Sequence, residues 1–345
     1  MKRAPAARSA AESPAWDDGA AALGRQSRAM DDRRLARIRE FIEPFRVSRS
    51  TVVLARDFDP SNTGDFFAEE DSKGLLQQGI EMLEHYQCRL AAQDTFGLLV
   101  VLQALDAGGK DSTIRHVMSG VNPQGVVVHG FRAPSSEELD HDFLWRYTQK
   151  LPARGDIAIF NRSHYEDVLV VRVHPELLEW QKLPPLARAG AVWERRYRQI
   201  NDWERSLVEN GFPVVKVFLN LSKEEQRRRF LRRIDFPEKN WKFNAHDVEE
   251  RAQWDAYQDA FSGMLSATST AYAPWYVIPA DHKWFLRVGV AAVIIDALAR
   301  IDPDYPTVSD GAREALLASK ERLEAEAPDG IAADPAAARL VAGQA

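Results

Sequence analysis

The sequence predicts an α/β protein built on a parallel sheet flanked by helices. Three observations predict it. Strand-like apolar runs recur between helical segments, most of them are continuously apolar rather than alternating, and one ends in a glycine turn that opens straight into a helix. Continuous apolarity is the pattern of strands covered on both faces, and strand–helix alternation implies βαβ units with right-handed crossovers. The predicted strands are Phe96–Leu105, Val126–Phe131, Ile157–Asn161, Val214–Leu219 and Trp275–Ile278. Leu75–Leu90 reads as an amphipathic helix with Leu76, Ile80, Leu83 and Leu90 on one face. Val192–Glu209 repeats the pattern with Trp193, Tyr197, Ile200, Trp203 and Leu207, and Gly211 lies just past its end. Trp254, Tyr257, Phe261 and Leu265 have helical spacing and read as core.

At 345 residues and 45% hydrophobic content the chain can bury a sizeable core. Its one cysteine, Cys88, excludes an intramolecular disulfide framework and a cysteine-rich zinc site. Met1 to Gly24 contain no apolar signal region, and no run reaches the length of a transmembrane helix. The expectation is a soluble, cytoplasmic protein without membrane contact. Net charge is −6, so a polyanion would have to be met by a local basic patch, and nucleic acid is not an expected partner.

The glycine turn carries the first chemistry. Leu102-Gln103-Ala104-Leu105-Asp106-Ala107-Gly108-Gly109-Lys110-Asp111-Ser112-Thr113 places a lysine between a strand and the helix-compatible run Ser112 to Met118. Backbone N–H groups and a helix start face an anion there, and the lysine adds a full charge. Ala104 stands where a Walker A loop has its first glycine, and Asp111 stands where it has a hydroxyl. A plain strand-to-helix turn explains the loop equally well when it is taken alone. Asp106, read as the last strand residue, is either a turn-stabilising carboxylate or a Mg²⁺ anchor beside the phosphates.

Two further clusters lie near predicted carboxyl ends of strands, where ligands bind in such sheets. In Phe160-Asn161-Arg162-Ser163-His164-Tyr165-Glu166-Asp167 the strand ends in an amide, so Asp167 or Glu166 would supply the metal's second carboxylate. Arg162 offers a donor fork suited to phosphate, with a structural ion pair as its plain alternative. Gln226 to Lys242 is densely basic, with Arg229 and Arg233 on one helix face and Pro237 breaking the helix into a loop. A lid that supplies arginines fits phosphoryl transfer, and a solvated charged face fits as well. Arg132, in Phe131-Arg132-Ala133-Pro134, leaves the second strand at the same edge. His116, His129, His141 and His164 match no metal spacing and read as structural.

Taken together and in this order, these motifs resemble the polyphosphate kinase 2 family over roughly residues 45 to 302. The resemblance implies a P-loop kinase-like core similar to thymidylate kinase, with a helical lid at about 224–255. Residues 1–31 have little apolar periodicity and read as a disordered arm, and 32–302 read as a single catalytic domain. Residues 303–345 read as a tail in which the Ala-, Glu- and Lys-rich run Gly311 to Ala325 would form an exposed helix. The implied reaction moves the terminal phosphoryl group between inorganic polyphosphate and a nucleotide with Mg²⁺, or Mn²⁺ as a substitute, and without a covalent intermediate.

Asp106 would match the family's magnesium-binding aspartate, Lys110 its Walker lysine, and Arg229 and Arg233 its lid arginines. Gly108, Gly109, Lys110, Asp111, Ser112, Arg132, Lys239 and Lys242 would bind the phosphate chain, and Arg162 would act on it. Asn161, Glu166 and Asp167 resemble the class III subgroup, which implies AMP and ADP as acceptors, and the family implies a homo-oligomer. Two alternatives stay open at this point: an ATP-dependent nucleotide kinase on the same fold, and a non-catalytic polyanion-binding protein with a degenerate loop.

Overall fold

Five apolar segments become one all-parallel sheet: β1 (Leu98–Gln103), β2 (Val126–Gly130), β3 (Ile157–Asn161), β4 (Val214–Asn220) and β5 (Trp275–Pro279). Their spatial order is β2-β3-β1-β4-β5. Leu102 of β1 pairs with Asn161 and with Val217, so the three central strands end nearly level. The chain visits one side of β1 first and the other side later. The crevice beyond the carboxyl end of β1 is therefore the topological switch point of the sheet.

The computed structural model describes residues 32–48 and 50–326. The arm expected over 1–31 and the last part of the tail lie outside the described residues. Ile38–Pro306 form one unit. The described residues of the other unit are 32–37 and 307–326.

Every residue of β1, β4 and β5 is buried, as continuous apolarity predicts. β2 departs from that expectation. It is an edge strand, and Val127 and Val128 are 42% and 46% exposed, whereas the other edge strand, β5, is covered by the chain at Arg46 and Val47. Apolar content alone does not distinguish a central strand from an edge.

The helices that matter to the site are α1 (Ser72–Gln93), α2 (Lys110–Val117), α3 (Val192–Glu209), α4 (Lys223–Asp235), α5 (His246–Glu250), α6 (Trp254–Thr268) and α7 (Lys283–Ile301). α1 packs against α7. It extends three residues past the predicted range at each end, because its terminal residues carry no apolar period. An apolar cluster joins Leu99, Val101, Phe160, Phe218 and Trp275 of the sheet to Ile200 of α3 and Phe261, Met264 and Leu265 of α6. In the other unit, α8 (Asp310–Ala325) exposes every residue and is capped by Ser309, whose hydroxyl accepts from the Ala312 N–H. Among the described residues no helix is long and apolar enough to cross a membrane.

The core also holds a charged cluster that hydrophobic patterning does not reveal. Lys216 of β4 and Glu204 of α3 are fully buried and lie 2.6 Å apart. The Lys216 ammonium also donates to the Thr268 carbonyl at 2.7 Å and to the Tyr165 hydroxyl at 3.0 Å. Tyr165 donates to the other Glu204 oxygen at 2.7 Å, and the His164 ring lies 3.3 Å from it. This cluster anchors His164 and Tyr165, the centre of the segment that follows β3. Burial holds the Lys216 and His164 pKa values below their ordinary ranges, while Lys216 holds Glu204 ionised against its own desolvation.

Removing one partner of such a pair leaves an uncompensated buried charge, which costs about 3–5 kcal/mol. Lys216→Met is expected to lose that much stability in urea unfolding. Adding Glu204→Leu is expected to restore a large part of it. A double variant no more stable than the single one would show that the unpaired charge is not the source.

Candidate active site

The loop after β1 is built around backbone positions that only certain residues tolerate. Gly109 has φ +101 and serves as the N-cap of α2. A Cβ on Gly108 would meet the Ala104 Cβ at 2.5 Å and the Leu105 carbonyl oxygen at 2.8 Å, so only glycine fits there. Ala104, which replaces the first Walker glycine, thus packs against the position that must be glycine. Its carbonyl accepts a 2.9 Å bond from the Lys110 ammonium, which keeps that side chain folded back under the loop. Lys110 is 8% exposed, and burial followed by the nearby Arg162 charge lowers its pKa. The first N–H groups of α2 have no intrahelical partners and are available to an anion.

The loop carbonyls are held from the far side of the cleft. Gln226 donates to the Asp106 carbonyl at 3.0 Å, and Arg229 donates to the carbonyls of Ala107 at 3.0 Å and Gly108 at 3.2 Å. Arg229 also bonds Glu225 at 2.9 Å and the Ala280 carbonyl at 2.5 Å, and it is 6% exposed. The arginine expected to serve the lid is, in this structure, a buried clamp on the loop. Arg233, its partner in the predicted stripe, pairs with Asp247 at 3.1 Å.

The segment after β3 divides its side chains among three directions. Arg162 adopts φ +66, a conformation uncommon outside glycine, and its guanidinium pairs with Asp106 at 2.9 Å. His164 and Tyr165 point into the core cluster. Asp167 accepts from Gln181 at 2.8 Å and lies 3.7 Å from Arg196. Ser163 fixes the turn, accepting from the Gln103 amide at 3.1 Å and from the Tyr165 N–H at 3.3 Å. Asn161 donates to the Asp111 carboxylate at 2.6 Å. Asp106 lies past the strand rather than at its last position, because β1 ends at Gln103.

A cleft of about 770 Å³ gathers most of the residues singled out in the sequence. Asp106, Gly108, Gly109, Lys110, Asp111, Ser112, Arg132, Asn161, Arg162, Arg229, Arg233, Lys239 and Lys242 all line it. Pro237–Lys242 form a short helix rather than the loop predicted from the proline. Asn240 orders it by donating to the Arg233 and Ile234 carbonyls at the end of α4. Lys239 lies over the Phe236 ring and Lys242 over the Trp241 ring.

Glu166 and Asp167 fall outside this cleft. They line an adjoining cavity of about 290 Å³ with Phe143, Tyr147 and Trp180, and that cavity shares Phe131, Arg132 and Arg162 with the cleft. A small cavity of about 60 Å³ lies between Asp106, Arg162, Glu166 and Asp247. Burial raises the Glu166 and Asp247 pKa values, and the Asp106 charge adds to both shifts. Of the two adjacent acids, Glu166 and not Asp167 lines this small cavity with Asp106. Among the described residues, no three acidic, histidine or cysteine side chains are arranged to hold a metal by themselves.

Residues 67–306 match the family described as Polyphosphate kinase 2 (PPK2). The chain belongs to the polyphosphate kinase 2 family. A relative from Rhodopseudomonas palustris (strain ATCC BAA-98 / CGA009), named ADP-polyphosphate phosphotransferase, is 47% identical over 266 residues, covering 76% of this chain and 92% of that protein. One from Meiothermus ruber (strain ATCC 35948 / DSM 1279 / VKM B-1258 / 21), named AMP/ADP-polyphosphate phosphotransferase, is 43% identical over 77% of this chain and 96% of its own length. The crystal structure of polyphosphate kinase 2 from Arthrobacter aurescens TC1 superposes with a TM-score of 0.70 at 40% identity, covering 78% of this chain and 93% of that one. The P-loop kinase-like fold follows from that likeness.

In this polyphosphate kinase 2 family member the sequence reading missed Asp247 and Lys283, and it gave no individual role to Gln226, Arg232 and Trp241 within the basic cluster. All but Gln226 line the cleft. Lys283 had a usable signal, since it closely follows the carboxyl end of a predicted strand. Asp247 had none, because one of three acids on a short helix resembles any solvated residue. The four histidines behave as expected: His116 bonds the Ser112 carbonyl, His129 packs on Phe160, His141 stacks on Trp145, and His164 is in the core.

Burial raises the Asp167 pKa from 3.8 to about 6, against the opposing pull of Arg196. A carboxyl whose folded pKa is raised binds more protons folded than unfolded between those values, so its contribution to stability falls as pH rises through that window. The stability difference between wild type and Asp167→Asn is expected to shift against wild type from pH 3.8 to about 6, then level off. Chemical denaturation at a series of pH values measures it, and a flat difference would contradict the raised pKa.

Proposed function

We propose that the protein moves the terminal phosphoryl group of inorganic polyphosphate to AMP and ADP, making ADP and ATP, in a reversible, Mg²⁺-dependent reaction. The observation that carries this reading is the pair of adjoining cavities, one a large cleft rich in arginine and lysine and the other partly apolar, which share Arg132 and Arg162. A linear phosphate chain suits the cleft. A nucleotide, with its flat base and charged tail, suits the second cavity. The names of the Rhodopseudomonas and Meiothermus relatives support the same donor and acceptors. Use of AMP draws on Asn161, Glu166 and Asp167 and on the Meiothermus likeness.

Lys110 and the N–H groups from Gly109 to Ser112 hold the end of the chain, with Lys239 and Lys242 along it. Arg132 and Arg162 lie between donor and acceptor phosphates. A terminal phosphate oxygen of the acceptor attacks the terminal phosphorus of the chain in line, and the bridging P–O bond breaks. The shortened chain leaves with its negative charge, which the cleft cations neutralise. Such a transfer needs positioning and charge neutralisation rather than covalent participation. Arg229 acts through the loop that it clamps, as a positioning residue. The region about 224–255 acts as a lid whose outer part, around Lys239 and Lys242, closes over the chain.

The oxygen donors around the small cavity fit Mg²⁺, or Mn²⁺ in its place, because such ions take one or two carboxylates together with phosphate oxygens. Asp106 would hold the ion with Glu166 across the cavity. Asp167 is turned away toward Gln181 and Arg196. When bound, the ion neutralises and orients the phosphates. A homo-oligomer is part of the same reading.

Lys110→Ala and Asp106→Ala are each expected to lower turnover by roughly 10²–10³-fold or more while the protein stays folded. Coupled luciferase detection with ADP and polyphosphate, with and without Mg²⁺, tests this, and an AMP arm follows the first transfer. Near-normal turnover in either folded variant would sink the assignment. Wild-type activity only with ATP as donor would favour a nucleotide kinase. No turnover under any condition would favour a polyanion-binding protein.

A further inference from the structure

We propose that the donor cleft continues beyond the glycine loop as a track over Lys283, Arg287 and Arg115, which binds the distal phosphates of a long chain. This rests on polyphosphate being the donor. Lys283 lines the cleft, and Arg287 follows four residues later on α7, about 6 Å along the helix axis. The Arg287 guanidinium lies 3.4 Å from the hydroxyl of Ser112, itself a cleft residue on α2. Arg115 is one turn further along α2, so cations from two helices run on from the loop.

These cations lack the partners that surface arginines usually find. Among the described residues, Lys283, Arg287 and Arg115 have no carboxylate within 4.0 Å. The Arg287 Nε is buried without a hydrogen-bond partner. Asp111, one turn before Arg115, has a carboxylate oxygen engaged by Asn161. Desolvation and then neighbouring positive charge depress both groups: Arg115 acts on Arg287, while Arg229, Arg232 and Arg287 together outweigh the opposing Glu225 charge at Lys283. Like charges gathered without a paired carboxylate destabilise one another, and a phosphate chain would relieve the repulsion. In a chain of net charge −6 the run is local. A compact anion has no use for cations in a line leading away from the loop, whereas a polymer does.

The test compares donors of two lengths with the full-length protein at saturating ADP. Arg115→Gln/Arg287→Gln is expected to raise KM for long-chain polyphosphate roughly tenfold more than KM for tripolyphosphate, the size expected from losing two partly exposed charge contacts. Charge reversal at both positions should widen the gap. The salt dependence of long-chain binding should weaken by about 1.4 in the log–log slope, at about 0.7 per phosphate contact in a single-stranded polyanion. Neither arginine has an ion pair to lose, and matching thermal unfolding of variant and wild type verifies that the fold is kept. Equal shifts for both donors, or no shift for either, would overturn the track while leaving polyphosphate as donor. Absence of transfer from both donors in wild type would instead overturn the proposed function, and the track with it.

Discussion

The site depends on three backbone carbonyls being held from across the cleft. Asp106, Ala107 and Gly108 would otherwise form a glycine-rich turn with little to define it, and Ala107 sits at φ +61 within it. Such a conformation costs of order 1–3 kcal/mol and persists only where its surroundings over-determine it. Gln226 and Arg229 supply that determination from one face of α4. With these carbonyls engaged by protein, the loop's amides and the start of α2 are left for the ligand. The wall of the cleft and its floor are consequently one hydrogen-bonded unit.

The second determinant lies below the floor. Lys216 and Glu204 fix Tyr165 and His164, so the residues on either side must project elsewhere: Arg162 into the cleft and Asp167 toward Arg196. The arrangement uses buried charge where an apolar contact would fill space but define fewer angles. Opposite charges beneath the site specify backbone position. Along the cleft Arg162, Arg229 and Arg233 are each paired with a carboxylate, while among the described residues Lys239 and Lys242 have no such partner and are left for an anion.

Much of this was legible in the sequence because it depends on local chemistry. Apolar runs marked all five strands, and the register of Ile157–Asn161 and Val214–Asn220 against β1 brought the marked motifs to one edge. Three kinds of information were not local. Whether an apolar strand is central or at an edge depends on its neighbours, so β2 read as buried. Whether an arginine is a ligand or a brace depends on what lies across the gap, so Arg229 read as a lid arginine and its hold on the loop carbonyls was not visible. Adjacent acids look interchangeable until a short helix separates them, so Asp167 and Glu166 stayed alternatives although only Glu166 also lines the small cavity beside Asp106.

The 2.6 Å contact between Asn161 and Asp111 has a consequence for evolution of the cleft. With a carboxylate at position 161, the two acids would need a shared proton or a cation between them to keep this spacing. An amide supplies the hydrogen itself. That rim of the cleft can therefore hold its shape whether or not a counter-ion is present, and one atom's exchange, nitrogen for oxygen, would make its geometry answer to the ionic medium.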